Sequence, residues 1–468
     1  MTVRQTAVLC LLAAIVLGNA PASSESAQES AARVVAWADV AAPLRSRLEA
    51  AGLNASDFPG YVERTHRENL RRVREGDLDH LVFYLLQSTS LSDTPAIEPA
   101  LSAKSLVDGL NATAREAFLR DGRPPGVPVP APVEARIAAL LRAIDRPGTD
   151  ARLQYFKSLV AAAFPDVKQR TAGLTAEYFR VMRFVYEKEF VAQRASSPAA
   201  AVAELYRTRG LSTDTAVEAG YVVQLGLGVL KGLQPDRRIK RVLIVGPGLD
   251  LAPRTGFHET PPESYQPWAV IDALLAMGLS SLDDLEVTAA DINPRVVDHL
   301  TRARRAPPVL SLMTDVAETG PVAFSQDYRE YFAQLGRSIG VAPIGQARLV
   351  EGKLQKNVRV SAEAARVLRA EPLDIVTERL SLEPFDLVIA TNILPYFDDR
   401  QLALVSANIA AMLGPRGVFL HNEARPLLGD LTAALAVPFE QSRHAVIATV
   451  KGAPAPLFDS VFLHVKPR

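Results

Sequence analysis

The chain has 468 residues, enough for two or three domains, and 48% of them are hydrophobic, so it can bury a real core and is not disordered by composition. Lysine plus arginine, 52, balances aspartate plus glutamate, 52, which leaves no basic excess for nucleic acid and no acidic tail for a cation-rich partner. The single cysteine, Cys10, excludes an intramolecular disulfide, and its place in the leader argues against a thiol nucleophile or a cysteine-based metal site in the mature chain.

Arg4 precedes an apolar run from Ala7 to Leu17, and Gly18-Asn-Ala-Pro-Ala22 follows. A charged start, a short apolar stretch and an Ala-x-Ala end predict a cleaved export signal over 1–22, and with it a periplasmic or extracellular protein; the alternatives are an uncleaved anchor and an ordinary first helix, and without a signal the protein is expected in the cytoplasm. The run is shorter than the ~20 apolar residues of a membrane span, and no other stretch reads as one. Ser23 to Ala32 reads as a flexible polar leader. From there to about 235 the spacing is helical. Asp77 can cap a helix with Leu78, Leu81, Val82, Leu85 and Leu86 on one face, and His80 and Tyr84 form its polar edge. Arg123-Pro-Pro-Gly-Val-Pro-Val-Pro-Ala-Pro132 is a stiff connector. Tyr178, Met182, Phe184, Val185 and Phe190 make an aromatic-rich helix that reads as core. Ser212 to Thr215 offers caps for a helix running to Leu233, which Gln234-Pro-Asp breaks.

The second half, 236–468, alternates strands with helices and predicts a parallel sheet covered on both faces. Arg241 to Val245 is a buried strand stopped by Gly246-Pro-Gly248. A loop from Leu251 to Glu263 and a helix from Ser264 to Gly278 lead to a second strand, Glu286 to Ala290. Asp291-Ile-Asn-Pro294 closes that strand, and Arg295 to Arg305 is the next helix. The segment 306–370 exceeds a minimal alternation and predicts an inserted cap. Leu373 to Thr377 and Asp386 to Ala390 read as strands three and four. Arg400 to Leu413 is a helix ended by Gly414-Pro-Arg-Gly417, and Val418 to His421 is strand five. His444 to Val450 and Ser460 to Val465 are too closely linked for a helical crossover, so they pair antiparallel.

In such a sheet ligands bind beyond the carboxyl ends of the strands, where strand order reverses. Gly246 and Gly248 allow close backbone approach there. Asp291, ending the second strand, is placed to accept hydrogen bonds from two ribose hydroxyls. Its separation from Gly248 exceeds the roughly 20 residues of a simple unit. Thr391 and Asn392 end the fourth strand; His421 and Glu423, at the end of the fifth, read as a solvated strand end. His258 and Glu259 read as surface polar residues, and the pattern shows no metal-ligand cluster.

Residues 241–468 resemble class I S-adenosylmethionine-dependent methyltransferases. Val242-Leu-Ile-Val-Gly-Pro-Gly-Leu-Asp250 resembles their first motif and Val287-Thr-Ala-Ala-Asp-Ile-Asn293 their ribose-binding second strand. Phe385 to Asp398 and Met412 to Leu420 resemble the later motifs, the former closest to the chemotaxis-receptor type, which methylates glutamate carboxylates. The resemblance implies a Rossmann-like seven-stranded sheet with an antiparallel last strand, here joined to a helical N-terminal domain. It implies S-adenosylmethionine as cofactor, with Gly246, Gly248 and the adjoining Asp250 at its methionine end. It further implies Asp291 on the ribose, Ile292 and Glu378 near the adenine, and Thr391, Asn392 and Tyr396 at the sulfonium and acceptor. Asp250 stands where a third glycine is common. The expected activity is methyl transfer to an acceptor, a small molecule or a protein carboxylate, that the residues do not identify. Two alternatives stand beside it. One is an exported binding module whose 251–263 loop fills the pocket. The other is an aminopropyl transferase using Asp398 and Asp399.

Overall fold

The computed structural model describes residues 31–122, 126–251, 260–452 and 456–468. The export signal, Cys10, His258, Glu259 and most of the 251–263 loop therefore lie outside the described residues.

Eight strands form the main sheet, numbered here in chain order: β1 (Arg241–Val245), β2 (Glu286–Asp291), β3 (Val322–Phe324), β4 (Leu368–Pro372), β5 (Phe385–Ala390), β6 (Leu413–His421), β7 (Phe439–Val450) and β8 (Leu457–Val465). Their spatial order is β3-β7-β8-β6-β5-β1-β2-β4. The five strands from β6 to β4 are parallel, while β8, β7 and β3 pair antiparallel. The protein is thus α/β with a Rossmann-like sheet: the seven expected strands, and one short strand from the insertion at the β7 edge. The chain steps from β1 out to β2 and β4, then returns to β5 and β6, so strand order reverses between β1 and β5.

Side chains alternate across each strand. Val242, Ile244, Leu387 and Ile389 face one core with the helices Glu218–Leu233 and Gln266–Ala276. Leu243, Val245, Val388 and Ala390 face the other with Trp37–Ala50 and Asp399–Met412. A third core belongs to the helices between Leu78 and Val185. The residues before 236 therefore serve two bodies: Val40, Leu44 and Phe58 close the sheet, and Ala32–Val34 pairs with Glu378–Leu380. Helix Phe58–Gln87, 30 residues and about 45 Å long, joins the two.

Three sequence expectations are corrected. The third strand is β4, not Leu373 to Thr377. It is paired on one side only, to β2, so it tolerates Arg369 and Pro372, which disguised it. The helix expected from Ser212 begins at Glu218; the threonines before it pack on the glycine turn instead. The preceding helix ends at Met412, as expected, but the fifth strand starts at Leu413 and not Val418, so Gly414-Pro-Arg-Gly417 lies inside β6, with a register break against β5 and Arg416 at φ 62°. The 306–370 insertion packs its own apolar side chains into one of the sheet's cores. It carries a three-stranded antiparallel sheet and the helix Gln326–Gln334, and it adds Leu310, Tyr328, Phe332 and Val358 to the core. Among the described residues, no helix is long and apolar enough to cross a membrane.

Candidate functional site

The turn after β1 places Gly246 at φ 64° and Gly248 at φ 75°, a region L side chains rarely occupy. Space matters as much as torsion. A Cβ at Gly246 would sit 2.5 Å from Ile393 Cγ2; one at Gly248 would sit 2.3 Å from both the Thr213 carbonyl and Thr215 Oγ1. The close approach inferred from sequence is thus made by the protein's own chain. Leu249 N–H donates to Thr213 O at 2.8 Å, and Thr213 Oγ1 donates to Leu249 O at 3.0 Å. Both glycines still line the cavity described below.

Asp291 ends β2 against this turn. Its carboxylate accepts the Asn293 N–H at 2.8 Å and is approached by the Gly248 N–H. Burial raises its pKa to about 6, with those donors pulling the other way. It is not the cap of the following helix: Asn293 caps Pro294–Arg305 by accepting the Arg295 N–H. Asn293 Nδ2 in turn donates to Asp77 at 3.1 Å, and Arg295 and the Tyr155 hydroxyl bind the same carboxylate. The long helix is therefore docked beside Asp291.

Across the switch point, Thr391 is buried and accepts from Gln266 Nε2 at 2.5 Å. Asn392 sits at φ 62°, pinned by a reciprocal pair. Its N–H donates to Asn422 Oδ1 at 2.9 Å, Asn422 Nδ2 donates to Asn392 Oδ1 at 2.7 Å, and Asp459 holds Asn422 at 3.1 Å. Tyr396 closes the single turn Leu394–Tyr396, and burial pushes its hydroxyl up to about 12. It stays protonated near neutrality and can donate a hydrogen bond but not take a proton.

These groups share one cavity of about 930 Å³. Gly246, Gly248, Asp291, Ile292, Thr391, Asn392 and Tyr396 all line it, together with Glu423. Of the insertion, only Asp315 reaches it among the described residues. Two expected residues do not line it. Asp250 is bridged to Glu263, its N–H donating to the Glu263 carbonyl at 2.9 Å, which turns it away from the cleft. Glu378 is paired in a strand with Val34 and accepts the Asp374 N–H at 2.9 Å. Asp374, four residues before Glu378, is the acid of this segment at the cavity. It lines the cavity and holds Asn69 Nδ2 and His66 Nδ1, each at 3.1 Å. Reading it as mid-strand hid it; an acid directly after a strand was the available signal.

The end of β6 is not solvated. Glu423 is half-buried, and burial raises its carboxyl against the opposing pull of Arg425. His421 is buried outside the cavity, its Nε2 2.8 Å from His464 Nε2. The Glu423 N–H donates to His421 Nδ1, so the His421 proton sits on Nε2 and points at His464. Asp398 caps Asp399–Met412 and Asp399 binds Arg425, so both acids considered for a polyamine hold local structure. Among the described residues no cluster of metal-ligating side chains occurs.

No protein-family model and no curated protein matches this chain. Solved structures do. The N-methyltransferase NodS of Bradyrhizobium japonicum WM9, in complex with S-adenosyl-l-homocysteine, is 13% identical over 53% of this chain and 88% of its own, with a TM-score of 0.28. Magnesium protoporphyrin IX methyltransferase ChlM of Synechocystis PCC 6803, with bound SAM, is 9% identical over 60% and 97%, with a TM-score of 0.28. The CurJ carbon methyltransferase is 14% identical over 92% and 99%, with a TM-score of 0.31.

Proposed function

We propose that the protein is an S-adenosylmethionine-dependent methyltransferase. One observation carries the reading: a single cavity at the β1/β5 reversal joins the glycine turn, the Asp291 carboxylate and the Asn392–Tyr396 wall. This is where a doubly wound sheet binds a nucleotide-like ligand.

The donor set fits the nucleoside. Asp291 has four lone-pair positions and two N–H neighbours, and its raised pKa marks a carboxylate short of partners. Two ribose hydroxyls supply the missing donors. When bound, the sulfonium supplies an electrophilic methyl group and a leaving thioether. The chain's share is alignment, which is worth up to ~7–11 kcal/mol of barrier. The Asn392–Asn422–Asp459 chain fixes one wall of the transfer position, and Arg72 fixes the other by donating to the Tyr396 carbonyl at 3.2 Å. Glu423 stands two residues past His421, which is in register with Ala390, so it follows the end of the strand next to the one that Asn392 follows; both line the cavity, and the carboxylate is the group there that can take a proton from an acceptor.

Calorimetry on the full chain tests this. S-adenosylhomocysteine should bind, and Asp291→Ala should weaken it at least tenfold. Absence of binding by the wild-type chain, or equal binding by the variant, would overturn the assignment.

A further inference from the structure

The cavity continues past the nucleoside end into the helical half, and nothing said so far assigns that compartment. Its wall comes from three helices: Phe83 on Phe58–Gln87, Phe184 on Arg170–Tyr186, and Val202 and Tyr206 on Pro198–Thr208. Lys188 joins from the π-helical turn Glu187–Val191, a backbone irregularity often found at functional sites.

Three rings run along this wall edge to face. Phe184 lies 6.1 Å from Tyr206 at 79°, and Tyr206 lies 5.4 Å from Tyr396 at 89°. The ladder leads from the helical half to the transfer position. Phe83, Phe184 and Tyr206 are only half-buried, whereas the neighbouring core rings Phe118, Phe156 and Tyr178 are closed off completely. Apolar rings left open inside a concavity mark a ligand surface.

The wall is held open by arginines. The Arg209 guanidinium lies 3.9 Å over Phe184 and is fixed by Asp79 at 2.8 Å. Arg72 donates to the carbonyls of Tyr206, Arg209 and Tyr396 at 3.1, 2.9 and 3.2 Å. Such bracing keeps the compartment shaped in advance, which lowers the cost of binding.

The polar side chains around it are already engaged. Glu98 accepts the Leu101 N–H, Lys188 pairs with Glu189 at 3.1 Å, and Asn69 Nδ2 donates to Asp374, which leaves the Asn69 Oδ1 as a single buried acceptor without a partner. A charged or peptide-like occupant would leave its own polar groups without partners, a cost of about 1–3 kcal/mol each. At the other end stand the exposed Asn392, whose Nδ2 lies outside its pair with Asn422, and the Glu423 carboxylate.

We propose that this compartment binds a small planar aromatic acceptor whose hydroxyl is methylated beside Asn392, Glu423 being the base. The hydroxyl oxygen forms the new O–C bond, the C–S bond breaks with its electron pair kept by sulfur, and the hydroxyl proton passes to the Glu423 carboxylate. The step rests on the methyltransferase reading; the compartment does not.

The test uses the full chain and 2-naphthol as a fluorescent planar probe, with S-adenosylhomocysteine binding measured in parallel. The wild-type chain should bind 2-naphthol. Val202→Trp, which fills the compartment, and Phe83→Asp, which charges it, should each weaken the probe at least tenfold and leave S-adenosylhomocysteine unchanged. With S-adenosylmethionine, wild type should yield 2-methoxynaphthalene, and Glu423→Gln should slow turnover at least tenfold while probe affinity holds. Probe binding that ignores both substitutions, or methylation of a glutamate-bearing peptide in place of the phenol, overturns the proposal. Substitution-sensitive probe binding without any S-adenosylhomocysteine binding keeps the compartment and removes the methyltransferase reading.

Discussion

Burial of Asp291 makes stability and ligand affinity respond to pH in opposite directions. The ordinary aspartate value is 3.8 and the folded value is about 6. Below pH 3.8 the carboxyl is protonated in both folded and unfolded chains. Between 3.8 and 6 the unfolded chain ionises and the folded one resists, so stability falls as pH rises through that window. At 1.36 kcal/mol per pH unit the full loss is about 3 kcal/mol, of which about 2 kcal/mol falls between pH 4.5 and 7.5. Asp291→Asn has no such dependence. Urea unfolding of both proteins at pH 4.5, 5.5, 6.5 and 7.5 isolates the effect, because every other titration is shared. The wild-type stability minus the variant's should drop by about 2 kcal/mol across the series. S-adenosylhomocysteine affinity should run the other way in wild type, falling tenfold per pH unit below 6, because only the carboxylate accepts two hydroxyl donors. A constant stability difference would mean the carboxyl is not buried in solution. PH-independent affinity would mean it does not hold the ribose.

The histidine pair gives the opposite sign. Burial holds His464 down at about 4 and His421 well below its usual value. Their contribution is present above pH 6.5 and is lost as pH falls through 4, about 3 kcal/mol from His464 alone, and His464→Phe should flatten that limb of the urea-stability profile. Gly248→Ala should destabilise by about 3 kcal/mol in thermal unfolding, since its Cβ meets the Thr213 carbonyl and its torsion is left-handed. Asp79→Asn should cost about 3–5 kcal/mol in urea unfolding by leaving the buried Arg209 charge unpaired. Asn422→Ala should lower the methylation rate of 2-naphthol at least tenfold with little change in S-adenosylhomocysteine binding, because it frees Asn392 without touching the glycine turn.

The sequence alone determined the parallel sheet. Val242 to Val245 and Leu387 to Ala390 are continuous apolar runs, and only burial on both faces accommodates such runs. It also determined the antiparallel closing pair, from a connection too short for a helix, and it singled out Gly246, Gly248, Asp291 and Asn392, now found around one cavity with Tyr396, a residue that only the family resemblance had implied. These are local signals of strand, turn and strand end. Tertiary structure decided what depends on contacts distant in sequence. Edge pairing made a strand of Leu368–Pro372 despite its charges. The bridge to Glu263 turned Asp250 away from the cleft, and pairing with Val34 removed Glu378, leaving Asp374 as the acid of that segment at the cavity. The aromatic helices read as core because spacing shows which side chains share a face, not whether that face is met by another helix or by a cavity. Packing of the helical half over the carboxyl ends of the strands left Phe184 and Tyr206 half open. Stripes along one helix are written in one segment, whereas a cavity exists only where several segments meet.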